Sequence, residues 1–425
     1  MLVIAVLALV HLFGGVRARP VRWPTSAVAA MFGVLVFLLW GFLQALLPMD
    51  IVGLTGVPTV DNTLEAKGLI SVDPALTIKA TVSFLSHLLF FVLVYELCSR
   101  RQKAVNLIRL CGVIVAVYAA YGFIVYASGN DTILWYARER DFTSLLSTFL
   151  NRNSFAAFAG LGLQCLIAYA FFWAKDELAE GRTGRELYRH VLETMLTKAW
   201  WLPLAILITA VALLLSNSRG GFGSVALAIF FLFLLSPNNY SQNHSSWRSI
   251  LGAGAIVAVS IGLFALSGDI LEQRLQGGAS LGERFDVYPL VIEGIIDRPI
   301  TGFGLGTFGD VFSIYQDESV VGYFDRAHND YLEIAFTAGI PASVLLVVSL
   351  LVLFSFLIGS LKYGNQYRPF IALGIAVMVQ LGLHSLVDFS LQKPGVSYMW
   401  VAIIAASVAV AHRCRRAAEA SEYGR

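Results

Sequence analysis

LEIAFTAGIPASVLLVVSLLVLFSFLIG, residues 332–359, is the longest apolar run in the chain, and its reading decides the fold class. It is 28 residues long, and Glu333 is its single charged side chain. An α-helix rises about 1.5 Å per residue, so roughly 20 apolar residues cross a hydrocarbon core about 30 Å thick. The run exceeds that length and reads as a transmembrane helix. Ten further runs read the same way, near residues 1–15, 26–47, 78–98, 104–127, 151–174, 199–216, 220–236, 249–267, 369–389 and 395–411. The expectation is therefore an all-α polytopic integral membrane protein with eleven spans.

Composition supports this. Of 425 residues, 57% are hydrophobic and 14% charged, and the mean hydropathy is +0.72. A soluble enzyme carries about a quarter charged residues, so that class is excluded. The formal net charge of +2 excludes nucleic-acid binding driven by bulk charge. Placement of charge says more than its sum. One set of alternating connections holds 18 Lys and Arg residues and the opposite set 11, with Arg109 inside a span. The positive-inside rule puts the richer side and the C-terminus in the cytoplasm and turns 48–77, 128–150 and 268–331 outward. The expected organisation is eight spans over 1–267, an extracytoplasmic loop over 268–331, three spans over 332–411 and a basic tail over 412–425. The first segment is short for a span, and no basic region precedes it as a secretory signal would require. Cys98, Cys111, Cys165 and Cys414 fall in spans or on the inner side without CxxC spacing, which speaks against an outward disulfide or a cysteine metal site.

The long outward loop is where chemistry is expected. In LGERFDVYPLVIEGIIDRP, residues 281–299, the apolar Phe285, Tyr288, Ile292, Ile295 and Ile296 follow helical spacing. This reads as an amphipathic helix on the outer membrane surface, ended before Pro299. GFGLGTFG, residues 302–309, formally matches GxGxxG, but a dinucleotide site needs a strand before it within a βαβ unit. Turns that fold the loop back over the bundle are the better reading. His328 is the one histidine of seven on an outward connection. An accessible imidazole can take a proton from a sugar hydroxyl, and a polar interfacial histidine is the competing reading. Asp325, His328, Asp330 and Glu333 match no familiar metal-ligand pattern.

Other polar groups cluster at span ends. In SNSRGGFGS, Ser218 is placed to cap the next helix, which sets Arg219 and Gly220 at a positive helix terminus suited to an anion such as diphosphate. A guanidinium snorkelling to lipid headgroups is the alternative. Arg284 could supply a second cation, with Arg274, Arg298 and Arg326 as competitors. Asn151 and Asn153 in NRNSFAAF would cap an outward helix start, and Arg152 could reach the same outer cavity. Asp73 in SVDPALT reads as a turn or N-cap residue. His384 and Asp388 stand one helical turn apart in HSLVDFSLQKP, either hydrogen-bonded to each other or chemically active.

At these residues the chain resembles the O-antigen ligase and polymerase superfamily of bacterial membrane glycosyltransferases. HNDYLEIAFTAGIPAS is similar to the family's pattern of His, then Asn, Ser or Gln, nine residues, Gly, two residues and a second Gly. His328, Asn329 and Gly339 match, and Ala342 replaces the second Gly. SRGG at 218–221, NRNSFA at 151–156, the ERF to GFGLGTF stretch and HSLVDF are also family-like. Eleven spans rather than the usual twelve would be explained by a missing N-terminal helix. The resemblance implies a GT-C-like, metal-independent, inverting transfer at the outer face of the bacterial cytoplasmic membrane. The donor would be a glycan on undecaprenyl diphosphate, and the acceptor hydroxyl would belong to lipid A core, a growing polysaccharide or a protein. Membrane lipids are expected partners; no cofactor, metal or nucleic acid is expected. His328 would be the base, and Arg219 and Arg284 would hold the diphosphate in the same outer hollow. Asn329, Arg152, Ser218, Gly220 and Arg326 would contact substrate. A protein O-oligosaccharyltransferase of the same superfamily, a polysaccharide or lipid transporter and a scaffold of an envelope-synthesis complex are the alternatives.

Overall fold

The computed structural model of the chain describes residues 22–48, 68–129, 131–138, 143–178, 199–237, 281–317, 320 and 324–423, together with 185, 186, 189, 193 and 197. The described elements are α1 (Thr25–Leu46), α2 (Pro74–Leu97), α3 (Arg101–Ala127), β1 (Thr132–Ile133), β2 (Tyr136–Ala137), α4 (Arg152–Leu178), α5 (Trp201–Leu215) and α6 (Arg219–Leu235). After them come α7 (Leu281–Asp297), α8 (Phe308–Tyr315), α9 (Asp330–Ala338), α10 (Ile340–Ser360), α11 (Arg368–His384) and α12 (Pro394–Tyr423). The two strands form one small hairpin with Thr132 opposite Ala137, which the helix-only reading does not include.

Seven of the described helices are long and apolar enough to cross a membrane: Thr25–Leu46, Pro74–Leu97, Arg101–Ala127, Arg152–Ala174, Ile340–Tyr363, Asn365–His384 and Pro394–Glu422. Two more expected spans are the shorter apolar helices α5 and α6, of 15 and 17 residues. The expected spans at 1–15 and 249–267 lie outside the described residues.

The run at 332–359 is not one helix. It breaks at Gly339, whose φ of +83° only glycine adopts without strain and whose absent Cβ would lie 2.1 Å from the Ile300 carbonyl oxygen. Helix α9 thus stands apart, and the helix of spanning length begins at Ile340. The run expected at 369–389 likewise ends its helix at His384, leaving 385–389 as a turn.

The chain divides into two compact units, each considered alone. The first comprises Met1–Phe90, Ser267–Leu353 and Ser385–Phe389; the second comprises Phe91–Leu266, Phe354–His384 and Ser390–Arg425. In the first, an aromatic core of Phe303, Phe308, Phe312 and Phe336 gathers α7, α8 and α9. Helix α7 forms where its amphipathic pattern predicts, but its buried face is Val287, Val291 and Ile295. Ile292 and Ile296, of the face expected on the membrane surface, are exposed, while Gly294 packs against the Phe336 ring on the buried side. Gly302, Gly304 and Gly306 all have positive φ and pack closely. The Phe303 and Gly304 N–H groups donate to the carbonyls of Phe336 and Thr337 at 3.2 and 2.8 Å. Buried Gln44 of α1 donates to the Thr301 and Thr337 carbonyls at 2.6 and 2.9 Å and accepts from Leu305 N–H at 3.3 Å. The loop is thereby held against α9 at Gly302, against Ser71 and the start of α2 at Gly304 and Gly306, and against α1 through Gln44. In the second unit, α4 and α11 are the most buried helices, and Gln164 and Gln380, both 0% exposed, hydrogen-bond inside it.

Candidate active site

His328 precedes α9 and has φ +53°, a left-handed conformation unusual for a residue with a side chain. The turn is held from both sides. Asn329 caps α9, its Oδ1 accepting from the N–H groups of Tyr331 and Leu332 at 3.0 and 3.1 Å. The Tyr288 hydroxyl of α7 donates to the carbonyls of His328 and Leu386 at 3.3 and 3.2 Å. The turn at 385–389 is joined to α9 by Asp330 N–H donating to the Ser385 carbonyl at 2.9 Å. The Ser385 hydroxyl donates back to the Asp330 carboxylate at 2.7 Å.

This framework sets the imidazole beside a carboxylate. His328 Nδ1 is 4.0 Å from Asp388 Oδ2, and the ring meets the Phe389 ring edge-on with centroids 4.8 Å apart. The His328 side chain is 21% exposed and that of Asp388 1%. A partly open imidazole is thus backed by a buried acid, and a carboxylate at this range stabilises the imidazolium form of the ring. Arg326 Nη1 pairs with Glu333 Oε1 at 3.0 Å, while Ala327 N–H donates to Glu333 Oε2 at 3.0 Å. Nearby, burial and the hydrogen bond to Asp297 push the Tyr315 hydroxyl above its ordinary range, and burial lowers the Arg298 guanidinium from its own.

The second unit holds the other expected residues. Ser218 caps α6 as its position predicts, its Oγ accepting from Gly221 N–H at 3.2 Å. The same hydroxyl donates to Asn153 Oδ1 at 2.7 Å, and Asn153 N–H donates to Asn151 Oδ1 at 2.7 Å. The starts of α4 and α6 are thereby tied, with Gly221 leaving no room for a Cβ against Ala156. Arg152 and Arg219, the first residues of α4 and α6, are both exposed, as is Gly220, and neither helix has an acidic residue in its first turn. The arrangement offers backbone N–H groups and guanidiniums to an anion.

Within the first unit the structure gathers His328, Asn329 and Arg326; within the second it gathers Arg152, Ser218, Arg219 and Gly220. Arg284 lies in the first turn of α7, its side chain outside the described residues, as is Arg274. The spacing predicts Asp388 beside His384 on one helix; instead the helix ends at His384, and the Asp388 carboxylate faces His328. Tyr288, expected as an apolar face residue, joins His328 to the 385–389 turn. Asn153, expected only as a cap, also receives the Ser218 hydroxyl. Among the described residues, no three His, Cys, Asp or Glu side chains gather as a metal site.

Residues 204–347 match the O-antigen ligase family. The family expected from the motifs is the family found. The matched stretch is about a third of the chain and contains Arg219, Arg284 and His328. No curated protein matches the chain. The match describes that stretch as similar to O-antigen ligases. With the apolar helices, it points to a membrane protein.

Proposed function

We propose that the protein transfers a glycan from undecaprenyl diphosphate to an acceptor hydroxyl, of lipid A core or of a growing polysaccharide, at the outer face of the cytoplasmic membrane. The observation that carries this reading is the His328 imidazole, partly open, backed by buried Asp388 and lying within the O-antigen ligase match. His328 takes the acceptor proton as the acceptor oxygen attacks the anomeric carbon. The bond from that carbon to the diphosphate oxygen breaks with inversion, and undecaprenyl diphosphate leaves with the electron pair. Arg219, with Arg284, neutralises the charge growing on the diphosphate, a task that fixed guanidiniums can perform in place of a divalent ion. Asp388 steadies the imidazolium until it loses its proton to water. Arg152, Ser218 and Gly220 extend the anion-binding end, while Asn329 and Arg326 hold the His328 turn.

The test is His328→Ala in reconstituted membranes supplied with lipid-linked donor. Transfer should fall by roughly 10²–10⁴-fold, the usual contribution of a general base, while the amount of folded protein is unchanged. Undiminished transfer would remove His328 from the mechanism. Wild-type transfer should also fall as pH drops through the range in which imidazole gains a proton, since the protonated ring accepts none.

A further inference from the structure

The second unit contains a cavity of about 450 Å³ that the transfer reaction does not use. Its lining includes Arg101, Lys362, Tyr363, Asn365, Tyr367 and Ser421. Three chain segments meet there: the first residue of α3, the link of two short 3-10 turns at 361–367 between α10 and α11, and the last turns of α12. Each is the end of a helix long enough to cross a membrane, so the cavity sits where such helices reach the membrane surface.

Its chemistry is cationic and aromatic. The Arg101 guanidinium lies 5.0 Å from the centre of the Tyr367 ring and donates to the Arg413 carbonyl at 3.2 Å, which fixes it at the wall. Lys362 Nζ lies 4.9 Å from the centre of the Tyr363 ring. Both cations are held by ring faces, which attract charge without neutralising it. The surroundings reinforce the sign: residues 100–103 hold three Lys or Arg, 361–368 two and 413–416 three, against Glu419 and Glu422. The distribution of Lys and Arg along the sequence assigns this end to the cytoplasm. Leu97, the last residue of α2 and four before Arg101, and Ile358, in the last turn of α10, are exposed at 44% and 48%, apolar surface suited to acyl chains.

From this juxtaposition we infer that the cavity binds the headgroup of an anionic phospholipid of the inner leaflet. Arg101 and Lys362 would take the phosphodiester, and Asn365 and Ser421 the headgroup hydroxyls. Basic pockets between membrane helices hold phospholipid headgroups by this chemistry, and a volume of this size is that of a small-molecule site.

The experiment is native mass spectrometry of the full chain released from vesicles of phosphatidylcholine with a minority of phosphatidylglycerol. Wild type should retain phosphatidylglycerol over phosphatidylcholine. Lys362→Gln should lower retention roughly tenfold, the loss of about 1.4 kcal/mol, and the double variant with Arg101→Gln should abolish it. Arg415→Gln removes an equal charge from the same end, but that residue pairs with Glu419 at 3.2 Å and does not line the cavity, so it should retain the lipid. Because Arg101 also bonds to the Arg413 carbonyl, the single Lys362 variant, checked by circular dichroism, keeps the test independent of folding. Equal retention by wild type and Lys362→Gln would overturn the proposal, as would equal loss in Arg415→Gln. Displacement of the lipid by inorganic phosphate alone would overturn it in favour of a site for free phosphate.

Discussion

Helix α6 begins after Ser218 and helix α9 after Asn329, and in each the capping side-chain oxygen accepts from first-turn N–H groups. Beyond the cap, the two first turns differ in charge. Helix α9 carries Asp330 and Glu333 there, and helix α6 carries Arg219 and no acid. A helix N-terminus bears a partial positive charge. In α9 that charge is answered from within: Glu333 also accepts from Ala327 N–H and holds Arg326, and Asp330 is bonded to Ser385. The partial charge at the start of α9 is thus met by acidic groups of the protein itself, and the turn before it carries His328, 4.0 Å from the Asp388 carboxylate. In α6 a guanidinium is added to the same partial charge, and the tied start of α4 adds Arg152. Under the proposed function, the same local motif serves proton transfer at one helix and an anion at the other.

The contrast breaks most visibly at Arg219. Arg219→Ala should lower kcat/KM for the lipid-linked donor by about 10²–10³-fold, the range found when one donor to developing negative charge is removed. Arg219→Lys should recover only part of it, because an ammonium lacks the bidentate fork that fits phosphate oxygens. An Ala variant with unchanged kcat/KM would leave the start of α6 a membrane anchor and nothing more. A smaller effect is expected at Asp388. Asp388→Asn preserves shape and removes charge, so kcat should fall by roughly tenfold with the donor KM unchanged. The acid limb of the rate profile should move to lower pH, since a neutral amide no longer favours the protonated ring. A merely structural Asp388 would leave that limb in place.

How much of this is legible without coordinates depends on the range of the interaction. The spanning helices come from their own apolar length, and the Ser218 and Asp73 caps from chemistry within three residues, with Asp73 Oδ1 accepting from Ala75 and Leu76 N–H. Amphipathic α7 is readable as a helix, but its buried face is not, because Gly294 against Phe336 joins residues far apart in sequence. The break at Gly339 is hidden for the same reason: apolar residues flank it on both sides, and the crowding that requires glycine comes from Ile300. One-turn spacing between His384 and Asp388 has meaning only while a helix continues, and this helix ends at His384. The approach of Asp388 to His328 depends on the Ser385 and Tyr288 bonds, which no local pattern announces.

The finest test of the contrast lies in the caps themselves. Ser218→Ala and Asn329→Ala each remove a side-chain acceptor from a helix start, and each should cost about 1 kcal/mol of stability. Were the two helix starts equivalent, both variants would disturb transfer alike. The difference in charge predicts otherwise. Losing Ser218 also releases Asn153, loosens the joint between α4 and α6 and lets Arg219 and Arg152 drift, so the donor KM should rise severalfold with little change in kcat. Losing Asn329 frees the turn that carries His328, so kcat should fall while the donor KM holds. Steady-state kinetics on the two variants, matched for thermal stability, separate these outcomes. A shared shift in the same parameter would mean that the two helix starts do one job.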